Sequence, residues 1–182
     1  TNIKKAIQYI VSIHIPIILT VSLPLFFGWI YPNIFTPVHV IFLELIMGPM
    51  CSIVYENEPM EKNTMQQPPR KLSNTFLSWK EMRISILQGI IISAGVLFIY
   101  QYAVQNGASE SLTRSMVFST LVIANIFLSL VNRSFYYSFI TTLKNRNTLM
   151  WLVNALTILF VIIILNVDTV ADFFHVESLS AN

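Results

Sequence analysis

The apolar positions of this chain do not alternate with polar ones; they run together. Five long apolar stretches are separated by short polar connectors. A helix needs around 20 residues to cross the roughly 30 Å hydrocarbon layer of a bilayer. Five segments meet that length or approach it: residues 6–27, 38–55, 84–104, 113–131 and 148–167. The second is the shortest and contains Glu44, Gly48 and Pro49. This pattern predicts an all-α membrane protein, a bundle of about five transmembrane helices.

The connectors differ in kind. Residues 28–37 are few and include Trp29, Tyr31 and Phe35, aromatics suited to a membrane interface. Residues 56–83 form the longest polar stretch, rich in Pro, Asn, Gln and charge, and are expected to be a cytoplasmic loop. Residues 105–112 make a tight link, and residues 132–147 carry Arg133, Lys144 and Arg146. Placing the N-terminus in the cytoplasm puts Lys4, Lys5, Lys62, Arg70, Lys71, Lys80, Arg83, Arg133, Lys144 and Arg146 on that side. Of the 11 basic residues, only Arg114 then falls outside. The positive-inside rule therefore predicts this orientation. The tail beyond Asn166, with Asp168, Asp172 and Glu177 and no Lys or Arg, agrees.

Composition sharpens the class. Only 11% of the 182 residues are charged and 54% are hydrophobic, with a mean hydropathy of +0.64. Soluble domains carry about 25% charge. A net charge of +2, spread among connectors, gives no basic footprint for nucleic acid. Cys51 is the single cysteine, so no intramolecular disulfide can form, and it is expected to be a small packing residue. Lys4 and Lys5 precede an apolar run too long for a signal peptide and without a small-residue cleavage site, so no cleavable leader is expected.

Candidate chemistry lies inside the spans. An ionisable side chain in lipid costs several kcal/mol and faces protein or water. Glu44 lies near the middle of the second span and His14 near the middle of the first. Glu44 is read as an ion or proton site and the tentative metal ligand, the other reading being a protonated carboxyl hydrogen-bonded between helices. His14 is read equally as a site residue or an interhelical donor. Asn125, midway along the fourth span, is a further cation-binding candidate or interhelical glue.

Prolines sit beside both ionisable groups. Pro16 deprives the carbonyl of Ser12 of its helical partner, and Pro49 does the same to Leu45, with Gly48 loosening the chain beside it. Two helices are thus expected to break near the midplane, where transporters expose carbonyl oxygens to cations. His39 and His175 fall near membrane surfaces and are expected to be solvated. No phosphate loop, nucleophile elbow or zinc-spaced Cys/His set is present, so no catalytic residue is expected here.

Several stretches resemble a known family. Thr36-Pro37-Val38 opens the second span, and Glu56-Asn57-Glu58-Pro59-Met60-Glu61 through Met65-Gln66-Gln67-Pro68-Pro69-Arg70 follows it. This resembles the sixth transmembrane helix and next cytoplasmic loop of P-type cation-transporting ATPases of the calcium-pump and sodium-pump branch. Asn2-Ile3-Lys4-Lys5-Ala6-Ile7-Gln8-Tyr9-Ile10 resembles the approach to the family's fifth helix, with Ser12-Ile13-His14-Ile15-Pro16 on its Ser-x-Asn-x-Gly/Pro pattern. Arg146-Asn147 and Asn166-Val167-Asp168 fit the ninth helix and its exit. The resemblance covers nearly the whole chain as helices five to nine.

It implies a C-terminal membrane fragment of a longer pump, with the phosphorylated-aspartate motif, the nucleotide domain, the actuator domain and helices one to four and ten belonging elsewhere. It also implies ATP and Mg2+ for the full-length parent, no cofactor in this segment, and an integral location in the plasma membrane. Partners implied are the lipid bilayer, the transported cation and the missing parts of the same chain. Residue by residue, the family's Asn ligand falls on His14 and its Glu ligand on Ile17. On the sixth helix the first Asn/Asp ligand falls on Glu44, while the Thr and second Asp fall on Met47 and Gly48. On the eighth helix the Glu ligand falls on Asn125. Calcium, the family's usual ion, takes six to eight oxygens, and these side chains offer few. ATP-driven cation transport is the leading expectation. A passive or proton-coupled carrier using Glu44 and His14, and a structural membrane bundle, remain the alternatives.

Overall fold

In hydrocarbon every backbone N–H and C=O must find its partner within the protein, and an uncharged apolar run does so most simply as a helix. The computed structural model describes residues 2–59, 78–133 and 147–178, and follows that rule. Helix α1 spans Asn2–Phe26. Helix α2 spans Pro37–Pro49 and continues as a π-helical turn, Met50–Val54. Helices α3 (Trp79–Gln105), α4 (Glu110–Val131) and α5 (Thr148–Asn166) follow, and a short helix α6 covers Asp168–Phe174. Among the described residues, five helical segments are long and apolar enough to cross a membrane, with the π turn counted into the second. No strand occurs among the described residues. Residues 60–77 of the expected cytoplasmic loop, with the Pro68-Pro69-Arg70 sequence, lie outside the described residues, as do Lys62, Lys71, Lys144 and Arg146.

Polar side chains set the helix starts. Ser78 and Glu81 form a reciprocal cap on α3: Glu81 N–H donates to Ser78 Oγ at 3.3 Å, and Ser78 N–H donates to the Glu81 carboxylate at 2.7 Å. Ser109 caps α4 by accepting from Leu112 N–H at 3.0 Å. Gly107, at φ +73°, makes the tight α3–α4 link without a Cβ penalty.

Helix α1 lies along α3 and also touches α4 and the π turn. The buried centre includes Tyr9, Ile13, Leu43, Met50, Phe118 and Leu121. Ile91, Phe98, Leu159 and Phe160 point outward, as lipid-facing residues do.

Each end of the bundle is fastened by an arginine. At one end, Arg133 Nε donates to Glu58 at 3.0 Å, and both side chains are buried. Asn147 Nδ2 donates to the same carboxylate at 2.6 Å and to the Val54 carbonyl at 3.2 Å, while its oxygen caps α5 through Met150 N–H. At the other end, Arg114 donates to the carbonyls of Ile34 and His175, each at 2.7 Å, and pairs with Glu110. The segment 28–36 is thereby folded over the bundle, with Tyr31 Oη donating to the Ala108 carbonyl at 2.9 Å. Helix α6, unmarked by hydropathy, inserts Phe174 under that segment.

His39 departs from the solvated position expected of it. Its side chain is fully buried, ringed by Phe35, Phe118 and Phe174. Its Nδ1 accepts from the Thr36 amide at 3.2 Å, an aromatic substitute for the acidic half of a helix cap. Folding of residues 28–36 and α6 over this end is what removes His39 from water. His175 is exposed, as expected, in the left-handed conformation that ends α6.

Candidate cation path

Helix α1 passes through Pro16 as one uninterrupted helix. The interruption expected there is confined to the hydrogen bond that Pro16 cannot donate. The carbonyl so freed, that of Ser12, meets Gly89 of α3: a Cβ added to Gly89 would lie 2.9 Å from Ser12 O and 2.7 Å from Ile15 Cβ. The missing side chain therefore lets two backbones meet at the proline, where a weak Cα–H···O contact can serve the carbonyl. Ser12 Oγ reaches the Gln8 carbonyl at 2.8 Å and Gln88 Oε1 at 3.0 Å, so this face of α1 is sealed against α3.

At Pro49 the change is larger. Leu45 loses its donor, Met50 N–H reaches both Ile46 and Met47 carbonyls, and the chain then winds as a π-helix. Tyr55 N–H bonds the Met50 carbonyl five residues back, at 3.1 Å. Ser52 Oγ donates to the Gly48 carbonyl at 2.7 Å. A π turn adds width at a point where the regular ladder has failed, and such turns recur at functional sites.

Against this irregular stretch the structure brings His14 and Glu44 together. His14 Nε2 is 3.4 Å from Glu44 Oε1, across the flank of α1 and α2. His14 Nδ1 lies 2.8 Å from the Ile10 carbonyl, which can only accept, so Nδ1 carries a proton. Nε2 is left facing a carboxylate oxygen. A cation placed between these two lone pairs would be attracted by both. Both side chains are partly open, 39% exposed for His14 and 54% for Glu44. Gly48 and Ser52 continue the open face of α2, with no heavy atom within 4 Å of a Cβ built at Gly48.

Asn125 is bonded otherwise. It is buried on α4, where the Tyr9 hydroxyl donates to its Oδ1. Tyr9 in turn packs on Tyr55, ring centroids 5.4 Å apart, and Tyr55 Oη donates to the Ser129 carbonyl at 2.9 Å. No hydrogen bond links Asn125 to His14 or Glu44 among the described residues. Met47 is buried, Cys51 is half-buried and unpaired, and Ile17 is buried in the core. Among the described residues no group of three or more His, Cys, Asp or Glu is placed to hold a metal ion.

Hydropathy leaves Glu58, Arg133 and Asn147 in polar connectors, with no sign of the pairing that joins them. The usable signal was an acid and a base just past the ends of two spans on the same side of the membrane.

Five helices long and apolar enough to cross a membrane among the described residues define an integral membrane protein. Residues 32–182 match the family described as cation transporting ATPase, C-terminus. The chain belongs to that family. It is 29% identical over 133 residues to calcium-transporting ATPase 1 of Lactococcus lactis, covering 73% of this chain and 15% of that protein. A calcium-transporting ATPase of Listeria monocytogenes is 27% identical over 133 residues, with the same coverage. Human calcium-transporting ATPase type 2C member 2 is 27% identical over 134 residues, 73% of this chain and 14% of that protein. The matched region is thus a small part of each relative.

Proposed function

We propose that this chain is the C-terminal membrane part of an ATP-driven, calcium-like cation transporter, and that α1 and α2 form one wall of its ion path. The observation that carries the reading is the His14–Glu44 pair, 3.4 Å apart beside the Gly48–Pro49 irregularity. A carboxylate oxygen and an imidazole nitrogen facing one another offer two donor atoms to a cation passing between them. The pair alone is a poor calcium shell, which needs six to eight oxygens. The open flank supports completion by helices outside these residues, as expected of a chain matching 15% of a longer relative. Asn125 is the remaining candidate, its oxygen held by Tyr9.

ATP and Mg2+ belong to the parts of such a protein outside this segment, whose sequence carries no phosphate loop. No step of ATP chemistry is assigned to the residues described. The proposed setting is the plasma membrane, with the N-terminus of α1 cytoplasmic.

In the full-length protein, Glu44→Gln should abolish cation-stimulated ATP hydrolysis while leaving insertion and thermal stability unchanged, because Gln keeps shape and hydrogen-bonding capacity. His14→Ala should weaken apparent cation affinity by less. Full turnover at unchanged affinity in Glu44→Gln would place the path elsewhere. Orientation has its own check. With Cys51→Ser and no other reactive thiol, cysteines at Asn57 and Asn106 should react with an impermeant maleimide from opposite sides of sealed vesicles. Labelling from one side would remove the five-span topology.

A further inference from the structure

At the basic end of α3 a cavity of about 530 Å³ opens on the outer surface of the bundle, lined by Lys80, Arg83, Ile84, Ile86, Leu87 and Ile90. Its chemistry is divided along the helix. Two cations stand at the mouth, and four aliphatic side chains extend from them toward the membrane centre. Lys80 and Arg83 are exposed, and neither forms an ion pair or side-chain hydrogen bond among the described residues. The nearby acid, Glu81, is committed to the opposite side: it pairs with Lys4 at 3.0 Å and with the Ser78 amide at 2.7 Å. Among the described residues, the mouth therefore keeps two positive charges with no local counter-charge. Trp79, 77% exposed, stands beside it as an interfacial ring would. Below, Ile84, Leu87 and Ile90 are each half or more exposed, forming an apolar stripe that continues to Phe98.

We propose that this groove seats an acidic phospholipid, its phosphate between Lys80 and Arg83 and an acyl chain along Ile84, Leu87 and Ile90. Charge complementarity decides between lipids. A zwitterionic lipid would leave the two cations uncompensated, whereas an anionic headgroup neutralises them, each basic residue near an anionic surface being worth about a fivefold preference. Four aliphatic side chains in line with the cations match a ligand whose charge and hydrocarbon are joined, and do not match free phosphate.

The test uses the full-length protein in vesicles of phosphatidylcholine with about one-fifth phosphatidylglycerol, the two lipids sharing the same acyl chains. Benzoylphenylalanine is placed at Leu87 or, as a control roughly three turns along the same face, at Phe98. Mass spectrometry of the cross-linked α3 peptide gives the ratio of the two lipids. Expected is about 25-fold enrichment of phosphatidylglycerol over the bulk ratio at Leu87, fivefold for each of the two basic residues, and the bulk ratio at Phe98. K80Q/R83Q should return Leu87 to the bulk ratio, while K80R/R83K should keep the enrichment. Equal enrichment at both positions would mean a general lipid annulus and overturn the proposal. So would no enrichment at Leu87, or enrichment that survives K80Q/R83Q. Displacement of the lipid by inorganic phosphate at matched ionic strength would make the groove a free-anion site and overturn it as well.

Discussion

The two faces of α1 treat polar groups in opposite ways. Toward α3 and α4, Gln8, Tyr9 and Ser12 are each engaged: Gln8 with the Glu81 carbonyl, Tyr9 with Asn125, and Ser12 with Gln8 and Gln88. Even the carbonyl freed by Pro16 is met by Gly89. Toward α2, His14 and Glu44 face each other half-open, with room beside Gly48. A buried polar group without a partner is costly, so the closed face behaves as structure. The open face has unspent bonding capacity, which is what a site for a passing ion needs. The same element thus carries scaffold on one side and candidate chemistry on the other.

The largest test of this division removes a partner from the closed scaffold. Glu58 and Arg133 are buried together, and Asn147 depends on the same carboxylate. Breaking a buried pair by deleting one member costs about 3–5 kcal/mol. Glu58→Ala should therefore lower the thermal midpoint of the purified full-length protein sharply, far more than Glu44→Gln. Equal midpoints for the two variants would dissolve the distinction between scaffold and site.

Next in size is Gly89→Ala. Its added methyl would lie 2.9 Å from the Ser12 carbonyl oxygen, a backbone atom that cannot turn aside. The α1–α3 spacing must widen, at about 1–3 kcal/mol as for overpacked cores. A thermal scan that shows no loss would mean that the two helices are not seated backbone to backbone at the proline.

These outcomes also mark how far the sequence could be read. Five apolar runs, the midspan positions of His14 and Glu44, and the irregularity at Pro49 follow from spacing alone, because helix length and proline chemistry are local. The extent of the break at Pro16 was not legible, since it depends on Gly89 more than seventy positions away. His39 was misread for the same kind of reason: its burial comes from Phe118 and Phe174, on elements far along the chain. Hydropathy likewise assigns Glu58 and Arg133 to water, and only their tertiary pairing withdraws them from it.

The smallest expected effect decides on which side of the comparison Asn125 belongs. Tyr9→Phe deletes the hydroxyl that donates to Asn125 Oδ1 and keeps the ring that packs on Tyr55. Polar bonds between membrane helices average about 0.6 kcal/mol, so the thermal midpoint should shift only slightly. The informative reading is the cation dependence of ATP hydrolysis in the same variant. If Asn125 is interhelical glue, losing Tyr9 leaves its carboxamide to find another donor, and the apparent cation affinity stays where it was. If Asn125 also serves the ion, releasing its oxygen from Tyr9 changes that affinity while stability barely moves. The closed geometry favours the first outcome, because Asn125 is buried and its oxygen is already bonded by Tyr9. A clear affinity change in Tyr9→Phe would move Asn125 into the path and extend the site from the α1–α2 flank into the interior of the bundle.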